Sequence, residues 1–173
     1  MESQAYYSQF YPELIERIAF VVPELRWIDQ DYSQLEHYNE RPAVQFPCAL
    51  IDFVNTTFDQ LSQLVVTGSS LIQIRLAFAP FSQSSNTAPQ MVLQKALNYY
   101  NYEEKLFQGL HGWMPKSGIC QPLSIVSQAT ERRDDNIRVR LNTFSTAFDN
   151  TGAKKKYTSV PRPELIEEYY QSP

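Results

Sequence analysis

The sequence predicts an α+β fold: one mixed, mostly antiparallel sheet of about four strands with two helices packed on one face. Three observations predict it. Residues 71–79 alternate strictly, with Ile72, Ile74, Leu76 and Phe78 on one side and Gln73, Arg75 and Ala77 on the other, which is the period of a half-buried strand. Two stretches, 11–22 and 88–113, repeat apolar residues at helical spacing. Two extended runs near the end flank the charged segment ERRDDN, the pattern of a hairpin. Strands interrupted by a helix and closed by a hairpin suit an α+β layer.

The first helix is expected from Tyr11. Pro12 suits a first turn, and Glu13 and Glu16 complement the positive end of the helix dipole. Leu14, Ile15, Ile18, Ala19 and Val22 form its stripe, and Pro23 ends or kinks it. A further helical turn over Glu24–Asp29 would carry Leu25 and Ile28 along that stripe. Residues 29–41 read as a polar loop. Pro42–Asn55 reads as a strand whose two prolines place its start at an edge or bulge. The Gly68-Ser69 pair reads as a hairpin turn, with Leu64–Thr67 beginning or pairing with the strand over 71–79.

After the turn-rich 80–90 comes the second helix. Its apolar positions include Val92, Leu93, Leu97, Tyr100, Leu106, Phe107 and Leu110, and Gly112 and Pro115 close it. The last hairpin pairs Pro122–Thr130 with Ile137–Phe148. In that second strand Ile137, Val139 and Leu141 fall on one face and Phe144 and Phe148 on the other, and a β-bulge near Asn142-Thr143 would reconcile them. Residues 1–10 read as an N-terminal extension, 11–149 as a single domain and 150–173 as a C-terminal arm. Within the arm Leu165, Ile166, Tyr169 and Tyr170 give a short helix one apolar stripe to bury on a partner.

Composition narrows the function classes. A chain of 173 residues with 43% hydrophobic and 20% charged residues supports a core rather than a disordered tail. The net charge of −4 indicates no global basic face for nucleic acid. Eleven tyrosines and ten phenylalanines supply contact area for a core or for partner surfaces. Met1-Glu2-Ser3-Gln4 has no basic segment leading into a long apolar run, so no signal peptide is expected. No apolar run is long enough for a membrane span.

The chemistry-bearing patterns are missing. Two histidines, His37 and His111, and two distant cysteines, Cys48 and Cys120, make neither a CxxC pair nor an HxxxH or HxxE spacing for a metal. The cysteines sit among apolar residues and read as buried free thiols. Five glycines allow neither GxGxxG nor GxxxxGK, and no G-x-S-x-G elbow occurs. No catalytic residue, cofactor or metal is therefore expected, and a non-enzymatic role is. Arg75, Arg138 and Arg140 are expected to share the polar sheet face with Gln73, open to solvent, to an acidic partner or to a lumen, because an arginine is rarely buried unpaired.

The pieces together resemble phage tail terminator proteins and the related tail-completion proteins. The resemblance runs from about Tyr11 to Asn150: an opening helix, the strand PAVQFPCALIDF, the strand LIQIRLAFAP, a helix ending EEKLFQGLHGWM, and the hairpin QPLSIVSQATERRDDNIRVRLNTFSTAFDN. It implies a structural virion protein, assembled in the host cytoplasm, that forms a ring, commonly a hexamer, on the head-proximal end of the tail tube. Such a ring stops tube polymerisation and offers a joint to the head. The partners implied are further copies of the chain, the tail tube protein and neck or connector proteins, with no membrane and with DNA at most passing through the lumen. The alternatives are another head–tail connector or stopper, or an unrelated α+β binding module.

Overall fold

A computed structural model describes residues 5–37, 44–62, 64–79 and 84–150. Its elements in chain order are helix α1 (Tyr6–Val21), strands β1 (Trp27–Gln30), β2 (Cys48–Ser62) and β3 (Val65–Phe78), helices α2 (Gln90–Leu97) and α3 (Tyr99–Leu110), and strands β4 (Ser124–Glu131) and β5 (Arg138–Asn150). The strands make one sheet in the order β1-β2-β3-β5-β4. β1 runs parallel to β2, and every other pairing is antiparallel. The fold is α+β, with five strands where about four are expected from the sequence.

The additional strand is β1. Leu25 and Ile28 do pack toward the core, but in an extended segment rather than a helical turn. Four residues carry too few repeats for periodicity to separate the two.

β3 explains the packing. Midway along it a single face is covered, and Ile72 and Ile74 are buried while Leu71 and Gln73 are partly exposed. From Ile74 to Phe78 every residue is buried, because at this end both faces of the sheet are covered. On one face Ile72, Ile74, Leu76 and Phe78 meet Phe10, Leu14, Ile18 and Val22 of the α1 region, Leu106 and Leu110 of α3, and Phe144 and Phe148 of β5. On the other a smaller core of Leu35, Val44, Cys48, Leu50, Ala77 and Val139 is joined by Trp27, Phe46, Ile137 and Leu141. Both helices thus lie on the face of Ile72, Ile74, Leu76 and Phe78, as their stripes predict.

The double core also resolves β5. No bulge interrupts it against β3, whose register runs unbroken from Val66↔Asn150 to Phe78↔Arg138. Val139 and Leu141 belong to the smaller core, and Phe144 and Phe148 to the larger. The apparent change of period is a change in which face is covered. Bulges occur instead in β2, between Phe53 and Asn55 and between Gln60 and Ser62, and in β4, between Ile125 and Ser127.

Gly68 is not a turn residue. It lies inside β3 opposite Phe58 and Phe148, and a Cβ there would come within 2.6 Å of the Phe148 ring. That ring stacks on Tyr6 with centroids 3.6 Å apart, so glycine makes room for an aromatic layer between α1 and the sheet.

α1 starts at Tyr6, earlier than the expected Tyr11, and Pro12 lies inside it. Phe10 is fully buried, so the stripe begins within the segment expected to be an extension. Pro23 ends the helix as predicted. The long second helix is two, α2 and α3, meeting at Asn98.

Candidate functional site: arginine clusters and exposed apolar surfaces

The three arginines expected on one open face are divided between two faces. The β3–β5 register sets Arg75 opposite Leu141 and Leu76 opposite Arg140. Residues of the same parity therefore share a face, and Arg75 cannot stand beside Arg138 and Arg140.

Arg75 lies over the smaller core, where its side chain is 11% exposed. Its Nη1 donates to Asp31 Oδ2 at 2.7 Å, its Nε and Nη2 to Glu131 at 3.0 and 2.9 Å, and its Nη2 also to Glu36. Arg133 completes the cluster, donating to Glu36, Glu131, Asp135 and the Leu35 carbonyl. Burial raises the Glu36 carboxyl, but the Arg75 and Arg133 hydrogen bonds outweigh it and hold the group below its ordinary range. Asp135 is held below its range chiefly by Arg133. The clustered carboxylates raise the Arg75 and Arg133 guanidiniums above theirs, against the cost of burial. The cluster ties the segment after β1 and the β4–β5 turn to the sheet. It is a structural clamp, and the expected lumen role for Arg75 is corrected accordingly.

Arg140 and Arg138 point to the helix-covered face, so they too depart from the expected open surface. Arg140 donates through Nε and Nη2 to Glu103 of α3 at 2.9–3.1 Å, with the Glu103 and Arg140 side chains 6% and 15% exposed. Arg138 sits over the Tyr99 ring at 4.8 Å and donates to its hydroxyl, while its Nε is buried without a hydrogen-bond partner among the described residues. Arg138, Arg132 and Tyr99 line a cleft of about 480 Å³ beside Thr130 and Asn136.

Neither cysteine is activated. Burial pushes the Cys48 thiol up to about 12 and raises Cys120 as well, so both are protonated and unreactive at neutral pH. His111 accepts from the Ile125 amide through Nδ1 and stacks on Phe107. Among the described residues no group of three or more His, Cys, Asp or Glu is placed to hold a metal ion, and no helix is long and apolar enough to cross a membrane.

Exposed apolar side chains are the remaining feature, and they fall into separate places. Along the β2–β3 hairpin Val54, Phe58, Leu61 and Leu64 are 52%, 55%, 63% and 39% exposed, with Leu61 and Leu64 at its turn. Phe20, 77% exposed, borders a groove of about 460 Å³ with Glu13, Glu16, Arg17, Trp113 and Lys116. The Tyr7 hydroxyl hydrogen-bonds Thr56, so the start of α1 abuts the hairpin. Phe20 lies thirteen residues further along the helix, about 20 Å away at 1.5 Å per residue. Phe58 and Leu61 went unmarked in the sequence because β2 runs to Ser62, beyond the Pro42–Asn55 reading. The run Phe58, Leu61, Leu64 was the available signal. The arm residues Leu165, Ile166, Tyr169 and Tyr170 lie outside the described residues.

Among the described residues these features define an α+β sheet-and-helix domain whose Arg75–Arg133 and Arg140–Glu103 clusters are internal clamps and which exposes apolar side chains on the β2–β3 hairpin and on α1. The sequence matches no protein-family description and no curated protein. Among solved structures it is similar to a chain of the virion of a native gene transfer agent particle, with a TM-score of 0.44 and 11% identity, covering 84% of this chain and 92% of that one.

Proposed function

We propose that this chain is a structural subunit of a phage-type virion, a tail terminator that assembles as a ring on the head-proximal end of the tail tube, stops its growth and joins it to the neck. The observation that carries the proposal is the pair of separated apolar surfaces, the β2–β3 hairpin and the Phe20–Trp113 groove. A ring subunit touches its two neighbours through two different patches, because a heterologous contact closes by rotation. Contiguous exposed apolar surface marks such contacts. The sequence resemblance from Tyr11 to Asn150 supports the same reading. The role is binding without turnover, its partners are other copies, the tail tube protein and neck proteins, and the 150–173 arm supplies a further contact.

The test is co-sedimentation of the full chain with tail tubes, followed by electron microscopy. Rings at one end of the tubes, and tubes that no longer elongate, are the expected result. Binding along the whole tube, or none, contradicts it. Phe58→Asp and truncation after Asn150 should each leave a cooperatively folding chain that caps poorly. Full capping by both would remove the hairpin and the arm from the interface.

A further inference from the structure

We propose that neighbouring copies join by continuing the sheet: the free edge of β2 in one copy pairs, antiparallel, with the free edge of β4 in the next. The inference rests on the ring assembly proposed above and specifies its contact.

The sheet has two open edges. β1 covers β2 only over Cys48–Ile51, so Asp52–Ser62 presents main-chain N–H and C=O groups with no strand beside them among the described residues. β4 is the last strand at the other side. An open edge invites another strand, and proteins that must stay monomeric blunt it with lysine, proline, inward charges or bulges. Asp52–Ser62 (DFVNTTFDQLS) and Ser124–Glu131 (SIVSQATE) contain no lysine, arginine or proline, and each keeps a regular stretch clear of its bulges.

The bulges leave these stretches open and set apolar side chains beside them. All three lie on these two strands, and the additional residue at each is Val54, Leu61 or Val126. These side chains are 52%, 63% and 56% exposed. Bulges at sheet edges re-aim side chains, and here each turns an apolar one outward. Between and beyond the bulges two regular stretches remain, Asn55–Gln60 and Ser127–Glu131, similar in length and rich in uncharged side chains.

Strand sense and stagger follow from the register. β4 runs opposite to β5, β5 opposite to β3 and β3 opposite to β2, so β4 is antiparallel to β2. Copies held in the same orientation therefore meet in antiparallel pairing. Within one copy Glu131 stands level with Cys48, through Val139 and Ala77. That stretch of the β2 edge is occupied by β1. To reach Asn55–Gln60, a neighbour's β4 must slide an even number of pair positions, which keeps its side chains on their own faces; six, about 20 Å at 3.3 Å per residue, brings it there. Such a stagger is what a sheet needs to close around an axis with tilted strands. β1 thus blocks a flat, open-ended array and leaves the staggered one.

One matched pair and one opposite-face control test the pairing. In the register displaced by six positions Ala129 faces Thr57 on the same side of the sheet, while Phe58, opposite Gly68, points to the other side. Full-length Thr57→Cys, Phe58→Cys and Ala129→Cys chains are prepared singly, the native Cys48 and Cys120 being buried. Oligomers isolated by size from a mixture of Ala129→Cys with either β2 variant are then mildly oxidised. The expected result is disulfide-linked dimers in the Thr57→Cys and Ala129→Cys mixture, and little linkage in the Phe58→Cys mixture or in any variant alone. Linkage of Thr57→Cys, Phe58→Cys or Ala129→Cys to itself as readily as in the mixtures would mean two-fold edge pairing and overturn the proposal. Oligomers without cross-links in the Thr57→Cys mixture overturn the edge pairing and leave the ring reading standing. A chain that stays monomeric at every concentration overturns both.

Discussion

Replacing Glu103 by alanine should expose how much the helix layer depends on one internal ion pair. Glu103 is 5% exposed, and its carboxylate takes three N–H contacts from Arg140 at 2.9–3.1 Å. Without it the Arg140 guanidinium, 15% exposed, retains among the described residues only the Thr130 hydroxyl as a hydrogen-bond acceptor. Removing one partner of a buried pair costs about 3–5 kcal/mol, whereas replacing both by apolar residues of similar volume is often near neutral. With a urea slope of about 2 kcal/mol/M, Glu103→Ala should lower the unfolding midpoint by about 1.5–2.5 M. The Glu103→Leu/Arg140→Met double variant should stay within about 1 kcal/mol of the parent. Urea melts followed by circular dichroism measure both variants against the parent. A Glu103→Ala loss under about 1 kcal/mol, or a double variant as weak as the single, would mean that the pair is hydrated and the helix is held by its apolar stripe alone.

Other perturbations have equally definite outcomes. Gly109→Ala drives a methyl to within 2.5–2.8 Å of Val21 where α3 crosses α1, so overpacking should cost about 1–3 kcal/mol, read as a lower melting temperature. An unchanged melt would place the helices further apart. Leu76, fully buried in the larger core, should lose about 2–5 kcal/mol as alanine, and Leu76→Asp should not yield a soluble, cooperatively melting chain. Glu36 and Asp135 have folded pKa values below their unfolded ones. Their contribution is therefore complete above about pH 5 and is lost as pH falls through the depressed folded values. Thermal melts between pH 6 and 3 should show this loss, and Arg133→Met should flatten the acid slope. An equal slope in that variant would remove the cluster from acid sensitivity.

The sequence carried the layer order because β3 alternates and the helices repeat their stripes over several turns. It did not carry facts that depend on pairing. Arg75, Arg138 and Arg140 read as one patch until the β3–β5 register assigned them to opposite faces. Their carboxylate partners come from elsewhere in the chain, Asp31 and Glu36 for Arg75 and Glu103 for Arg140. One of those partners did leave a trace: Glu103 sits among Tyr99, Leu106 and Leu110 on the buried side of α3, and an acidic residue on an apolar stripe demands a buried cation. β1 was too short for its period to be read. The face change along β5 looked like a bulge because a strand with different faces covered at its two ends mimics a slip of one residue.

Assembly is tested most directly by sedimentation velocity of the full chain over a wide concentration range. A tail-terminator ring predicts one discrete closed oligomer that grows at the expense of monomer, with no continuing series of larger species. The same oligomer should be weakened by Phe58→Asp on the exposed hairpin, while Phe20→Asp at the groove should weaken it from the other side. A monomer at every concentration, or an open-ended ladder of sizes, would contradict a closed ring built from two distinct patches.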